Sequence, residues 1–543
     1  MAKYDFIILL VCIHGCLSME WSANDTANLD QFIATTMECR NVPGMFLTIV
    51  KDDEVTLSRG YGFKNVETKE PFTTQTPMSI QSTSKLMMTI LTARMLTKYP
   101  QYTFDTTIKE LLGDHLELSD KTAEKIVTIR DIISHSHGLG FPSDQLIGNW
   151  YAMTKYDFLR NVKHYPVVDE IRRGFHYSND AFLFLDKAFE LMENKTIEQL
   201  FRDELFEPLG MIHSNTIDEA RYDESYACSY QPGPNGALIK TTRRFVSWHG
   251  RNVGAWGLAS TADDLAKYLR FVLREGKLEG GTQHVDSDLM KEVLSPQIFY
   301  PLPYVKVADG YSLRPDFPTT SQTQSYGMGS WHRYYRGFQL VQHTGSFLGY
   351  DTLMTFVPEL NIGIFTGLNG PYTDVSWVAE TVIQEYILDT LLELPSYLNN
   401  TTACTFPAPW GDPVEMPSLQ AIPEDVVPAL PLDKYTGVFG KEGFGCVSMT
   451  LNRTEHDVEV LQFAIGLARM FAYPKEGQAH QFWLKGLDDM FHHWYIGYYS
   501  AGFTESGGSI NEMRLQGSSL KRMPGDSEQL CSYYLTGLNG TDL

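Results

Sequence analysis

The chain has 543 residues, 43% of them hydrophobic, and a formal net charge of -22. That length can bury one large core with room for a second, smaller one, and the acidic balance argues against nucleic acid or an anionic membrane as partner. It contains no Cys-x-x-Cys, no His-Glu-x-x-His and no clustered carboxylate loop, so neither a metal nor another cofactor is expected.

Taken in chain order, residues 1–18 place Lys3 ahead of an apolar run from Phe6 that is too short to span a bilayer, which reads as a cleaved secretory signal. No later segment is long and apolar enough for a membrane helix. Asn24, Asn194, Asn399, Asn400, Asn452 and Asn539 each open an Asn-x-Ser/Thr sequon, so a secreted, extracellular glycoprotein is expected. Cys12 and Cys16 leave with the signal, and Cys39, Cys228, Cys404, Cys446 and Cys531 remain for an oxidising compartment. Five is odd, so one or two disulfides and a leftover thiol follow, with the pairing open.

Residues 45–60 alternate as two strands around Lys51–Glu54, and a helix follows Ser82, with Met87, Ile90, Leu91, Met95 and Leu96 at helical spacing. Helical patterns recur to about 270, including Thr261–Asp264 as a capping box and Gly276 as a stop. Strands are predicted at Phe338–Gln342, Thr352–Val357 and Ile362–Phe365, the first two joined by a turn containing Gly349, and a helix near 376–394 closes the domain. Residues 395–431 carry eight prolines and three aromatics without periodicity, which reads as a linker. Beyond it, 432–543 gives short strand-like runs at Val447–Leu451, Asp457–Phe463, Gln481–Leu484 and His493–Tyr498, an all-β accessory unit with no readable ligand.

The chemistry concentrates at Ser82-Thr83-Ser84-Lys85. A Ser-x-x-Lys tetrapeptide on a helix puts the amine one turn after the hydroxyl on the same face, where it can take the hydroxyl proton. A lone match is expected about once or twice in a chain this long, usually as a solvated helix face. Here it has partners downstream, Tyr177-Ser178-Asn179 and His343-Thr344-Gly345. His135 with His137 and His492 with His493 read as structural histidines.

The three elements, in this order and at these gaps, resemble the serine beta-lactamase and penicillin-binding-protein superfamily, in particular its class C beta-lactamase, D-aminopeptidase and esterase branch. The resemblance runs from about Gly44 to Leu394. It takes in Phe46–Leu57 with Gly60–Gly62 as a first hairpin, Thr128–Leu139 as the "LLSHTSGL" segment, and Gly254–Leu265 as "GGLxSTAxDLA". It implies an α/β domain over 19–394, an antiparallel sheet flanked by helices plus a helical subdomain. Residues 432–543 resemble the lipocalin-like β-barrel of some relatives, mainly through Tyr435-x-Gly437.

By that resemblance Ser82 is the nucleophile and Lys85 and Tyr177 move its proton. Asn179 binds the lysine or a substrate amide, and the backbone N–H groups of Ser82 and Ser346 form an oxyanion hole if the third motif lies on an edge strand beside the nucleophile. His343, Thr344 and Gly345 would line the substrate. The departure is His343, where family beta-lactamases and carboxypeptidases usually carry lysine for the substrate carboxylate; a largely uncharged histidine holds a carboxylate less well. An acyl-transferring hydrolase of a small ester or peptide, esterase or peptidase in type and at most a weak beta-lactamase, is the leading expectation. The chain is also similar to mollusc shell-matrix proteins of the gigasin type. This leaves open a matrix role in contact with calcium-rich mineral, while slow deacylation would mark a penicillin-sensor-like binder.

Overall fold

The computed structural model describes residues 21–141, 155–220, 223–232, 237–241, 252–299, 317–347, 349–371, 373–412, 414, 422–423, 425–443, 445–465, 468–487, 500–515 and 518–524. The signal segment, Cys531, Asn539, His492, His493 and the run 493–498 lie outside the described residues.

The N-terminal domain is built on an antiparallel sheet of nine strands: β1 (Gly44–Lys51), β2 (Glu54–Asn65), β3 (Glu70–Pro71), β4 (Ile298–Phe299), β5 (Ser321–Tyr326), β6 (Trp331–Tyr335), β7 (Phe338–Phe347), β8 (Tyr350–Val357) and β9 (Ile362–Leu368). Their order is β3-β2-β1-β9-β8-β7-β6-β5-β4. The chain therefore leaves the sheet after β3, builds a helical subdomain, and returns at the opposite edge. Asp52 and Asp53 both take left-handed φ values, 50° and 70°, in the β1–β2 turn, a conformation aspartate tolerates.

Both faces of the sheet are covered, which explains why β1 reads as an almost unbroken apolar run. Met45, Leu47 and Ile49 point to one side, against α1 (Ala23–Cys39) and α5 (Asp374–Leu391); Phe46 and Val50 point to the other, against the helical subdomain. That second side holds α2 (Ser84–Lys98), α3 (Leu183–Glu193) and α4 (Ala262–Leu273). In α2 every residue from Ser84 to Leu96 except Arg94 is buried, so the helix is central rather than one-faced. At α4 the expected capping box is half made. Thr261 accepts from the Asp264 N–H, but the Asp264 carboxylate accepts from the His213 N–H at 2.7 Å and from Ser214 Oγ at 3.0 Å.

The stretch expected to be linker from residue 395 begins as part of the first domain. Leu398, Ala403 and Phe406 are buried beneath α5, α6 (Asn400–Thr405) packs on α1, and Cys404 is disulfide-bonded to Cys39. Prolines and aromatics there mark irregular backbone with buried side chains, a combination that lacks the periodicity by which a core element is read. Cys446 is also disulfide-bonded and Cys228 is a buried free thiol.

The C-terminal unit is a closed up-and-down barrel of eight consecutive antiparallel strands: β10 (Gly437–Lys441), β11 (Gly445–Arg453), β12 (Glu459–Ile465), β13 (Ala468–Pro474), β14 (Gln481–Gly486), β15 (Ser500–Ser506), β16 (Ser509–Leu515) and β17 (Ser518–Arg522). Pairing of Phe439 with Arg522 closes it. Its interior is filled by its own side chains: Tyr435, Phe482 and Phe503 pack edge to face with centroids 4.8 to 5.4 Å apart, among Phe439, Met449, Phe463 and Met513. The β10–β11 hairpin reaches the N-terminal domain, where Gly443 lies against His164 and Glu442 Oε1 is 3.7 Å from its Nε2.

Candidate active site

Ser82 sits in a single 3-10 turn, Gln81–Thr83, that leads straight into α2. The turn is held from both sides. The Ile80 N–H donates to Leu258 O at 3.0 Å, and Thr352 Oγ1 and Thr83 Oγ1 both donate to Ile80 O, at 2.9 and 2.6 Å. Gln81, immediately before Ser82, is held at φ 50°, a left-handed conformation costing a non-glycine residue about 1 kcal/mol or more. Its side chain donates to Ser79 Oγ at 2.7 Å. Ser82 itself is half-buried, at the mouth of the site.

Lys85 is fully buried below it. Its Nζ lies 2.6 Å from Asn179 Oδ1, 3.0 Å from Ala255 O and 3.2 Å from Ser82 Oγ. The first two groups only accept, so they take two N–H bonds, and a third contact is to the serine hydroxyl, through an N–H in the ammonium or the lone pair in the amine. This is the arrangement a proton acceptor for Ser82 needs. Asn179 is thus committed to the lysine, and its own carbonyl accepts from Asn252 Nδ2 at 2.7 Å.

Tyr177 places its ring face 4.7 Å from Lys85 Nζ, a cation–π contact, with Phe182 at 5.5 Å beyond. The loop that carries Tyr177 hangs on His135. The His135 carbonyl accepts from the His176 N–H at 2.8 Å, its Nδ1 accepts from the Ser178 N–H at 3.1 Å, and its ring packs 4.4 Å from that of Tyr177. Burial first, then the nearby Lys85, His137 and His343, hold the His135 imidazole well below its ordinary value, so it stays neutral.

The third motif lies on β7, an interior strand of the sheet rather than an edge strand. Its last pair with β6 is Gln342 with Trp331, so His343–Phe347 run on past β6 and that margin of the strand lies against the Ser82 turn. Only glycine fits at 345: a Cβ there would stand 2.4 Å from Thr352 Oγ1 and 2.6 Å from Ile80 O. Ser346 turns its hydroxyl onto buried Asp351, whose other oxygen accepts from Ser376 Oγ at 2.6 Å. His343 is 1% exposed, between Tyr326 Oη, 3.0 Å from Nε2, and Thr344 O, 2.5 Å from Nδ1.

The structure therefore brings Ser82, Lys85, Tyr177, Asn179 and the 343–346 strand to one place. Five contributors were not read from the sequence: Ala255 O, Asn252, His135, Tyr326 and Trp331, whose ring lies parallel to that of Tyr177 at 6.2 Å. A backbone carbonyl carries no residue-type signal, and the others lie outside the three motifs, although Thr128–Leu139 and Gly254–Leu265 pointed to two of the segments. The five described sequon asparagines are all exposed. Among the described residues no group of His, Cys, Asp and Glu is arranged to hold a metal, and no helix is long and apolar enough to cross a membrane.

Comparison with known proteins bears on the family and the fold. The chain is 23% identical over 470 residues to an unguisins hydrolase of Aspergillus violaceofuscus, covering 80% of this chain and 78% of that protein. It is 25% identical to a D-aminopeptidase of Brucella anthropi over about half of each chain, and 23% identical to gigasin-6 of Magallana gigas over 51% of this chain and 90% of that one. The fold is similar to an octameric penicillin-binding protein homologue from Pyrococcus abyssi, with a TM-score of 0.55 at 20% identity over 91% of this chain and 99% of that one. The model of the beta-lactamase family matches residues 29–385, and with a Ser-x-x-Lys pair, a Tyr-x-Asn loop and a third strand motif assembled within that span, the chain belongs to the beta-lactamase family.

Proposed function

We propose that this protein is a secreted serine hydrolase that cleaves a small ester or amide through an acyl-enzyme. The observation that carries the reading is the placement of Lys85 Nζ, which two carbonyl acceptors hold 3.2 Å from Ser82 Oγ. In the amine form Lys85 accepts the Ser82 proton as Oγ attacks the substrate carbonyl, and the tetrahedral oxyanion is held by the backbone N–H groups of Ser82 and Ser346. The proton then passes by way of Lys85 and Tyr177 to the departing alcohol or amine. Water hydrolyses the acyl-Ser82 ester with the same pair working in reverse. The apolar N-terminal run, the exposed sequons at Asn24, Asn194, Asn399, Asn400 and Asn452, and the Cys39–Cys404 disulfide support secretion and glycosylation.

A second reading is favoured by one observation, the similarity to gigasin-6 across most of that protein's length. It makes the chain an extracellular matrix component on the same scaffold, its net charge of -22 turned to calcium-rich mineral. One experiment separates the two. The mature protein and its Ser82→Ala variant are compared on an activated acetate ester, a short D-amino-acid amide and a chromogenic cephalosporin, with fluorophosphonate labelling alongside. Ser82-dependent turnover supports the hydrolase; no turnover and no labelling, with calcite binding by both proteins, supports the matrix component.

A further inference from the structure

The side chain of the third motif is closed off by the protein itself. A carbonyl oxygen only accepts, so the short contact to Thr344 O puts a proton on His343 Nδ1. The phenol of Tyr326 is fully buried, and its Oη is hydrogen-bonded with Nε2 at 3.0 Å. Both ring nitrogens are spent on the fold, and at 1% exposure the imidazole has no surface to offer. What the strand margin does present beside Ser82 is half-buried Thr344, with the parallel rings of Tyr177 and Trp331 next to it. Tyr177 is 37% exposed and Trp331 half-buried, and the Trp331 ring stands 6.1 Å from that of His343.

We infer that this wall of the site selects an uncharged substrate: a neutral ester, or an amide that is internal or blocked, with an apolar or aromatic group laid against Trp331 and Tyr177. A free carboxylate next to the scissile bond would lose its water against two aromatic rings and an imidazole whose nitrogens are both already bonded, with only the Thr344 hydroxyl to meet it, and a desolvated charge so sparsely partnered binds poorly. His343 and Tyr326 act here as specificity-determining residues without bonding the substrate. The inference rests on the hydrolase reading above and names the substrate class of that same site.

The test uses the full mature chain and two fluorophosphonates that are identical except that one carries a free carboxylate and the other its methyl ester. Ser82 labelling is expected to be about tenfold or more faster with the neutral probe. His343→Lys, which replaces the closed imidazole with an ammonium, is expected to raise the anionic-to-neutral rate ratio by about tenfold or more. Trp331→Ala is expected to reduce the preference for a benzyl over a methyl probe by about tenfold. Equal labelling by the two wild-type probes, or faster labelling by the anionic one, overturns the inference and leaves the hydrolase reading standing. A benzyl preference unchanged in Trp331→Ala overturns its aromatic part, and no labelling of Ser82 by either probe removes the hydrolase reading and this inference with it.

Discussion

Changing Asn179 tests the role of Lys85 without touching either the lysine or the serine. In Asn179→Ala, Lys85 Nζ loses the acceptor 2.6 Å away and keeps Ala255 O and Ser82 Oγ. A hydrogen bond to a charged or ionisable group is worth about 1.5 to 3 kcal/mol, so kcat/KM is expected to fall about ten- to a hundred-and-fifty-fold. Asn179→Asp keeps the shape and the acceptor but adds a negative charge against the buried amine. At an effective dielectric constant of about 20 and a separation of about 4 Å, the attraction is on the order of 4 kcal/mol in favour of the ammonium, equivalent to about a thousandfold in proton affinity. The base then becomes available only at higher pH. The profile of ester hydrolysis, and of fluorophosphonate labelling at Ser82, should rise later than in the wild type by up to about three pH units. A profile that is unchanged, or that moves to lower pH, would refute Lys85 as the group that takes the Ser82 proton.

Other expectations follow from the packing. Gly345→Ala, whose Cβ would collide with Thr352 Oγ1 and Ile80 O, should cost about 1 to 3 kcal/mol in urea unfolding and lower kcat more than it raises KM. Replacing Cys39 and Cys404 together by alanine, which opens a loop with a sequence separation of 365, should cost about 2 to 4 kcal/mol by the same measurement. Two buried groups set opposite pH limits. Burial, then the charge of Asp351, pushes the Glu380 carboxyl well above its ordinary value, so the folded state keeps a proton that the unfolded chain releases near 4.5, and stability falls as pH rises above that value. Glu380→Gln should flatten this fall, read as urea midpoints at mildly acidic and alkaline pH. Burial, then His176, pulls His137 down to about 3, so its contribution is whole above about 6.5 and is lost as pH falls from there toward 3; His137→Gln should lessen acid unfolding.

Much of the fold was legible because the pattern and the packing agree. The strand-like runs at 352–357 and 362–365 became β8 and β9, and the breaker at Pro358–Asn361 became their connection, with Asn361 left-handed at φ 52°. Ser82 and Lys85 were readable as a pair because helix geometry fixes their spacing locally. The partners that hold Lys85 were less so: Ala255 contributes its backbone, and Asn252 acts one bond removed, through the Asn179 carbonyl. His135 looked structural and is so, but the structure it makes is the seat of Tyr177. His343 was read as substrate-lining from its motif, and whether its ring nitrogens face outward depends on Tyr326, a residue on another strand. In the barrel, only the more regularly alternating strands stood out, since β15 to β17 carry Gly, Ser and charged residues between the few that face inward.

The Cys39–Cys404 bond makes the N-terminal domain a covalent ring. Ser82, Tyr177 and His343 all lie on the closed part of the chain, between the two half-cystines. A protease that cuts any one loop there opens the ring and releases nothing: the two pieces remain joined through sulfur and stay packed on the same sheet. Two cuts are needed to remove a fragment. For a protein proposed to work outside the cell, nicking and loss of the site are therefore separate events, which non-reducing and reducing gels of protease-treated protein would tell apart.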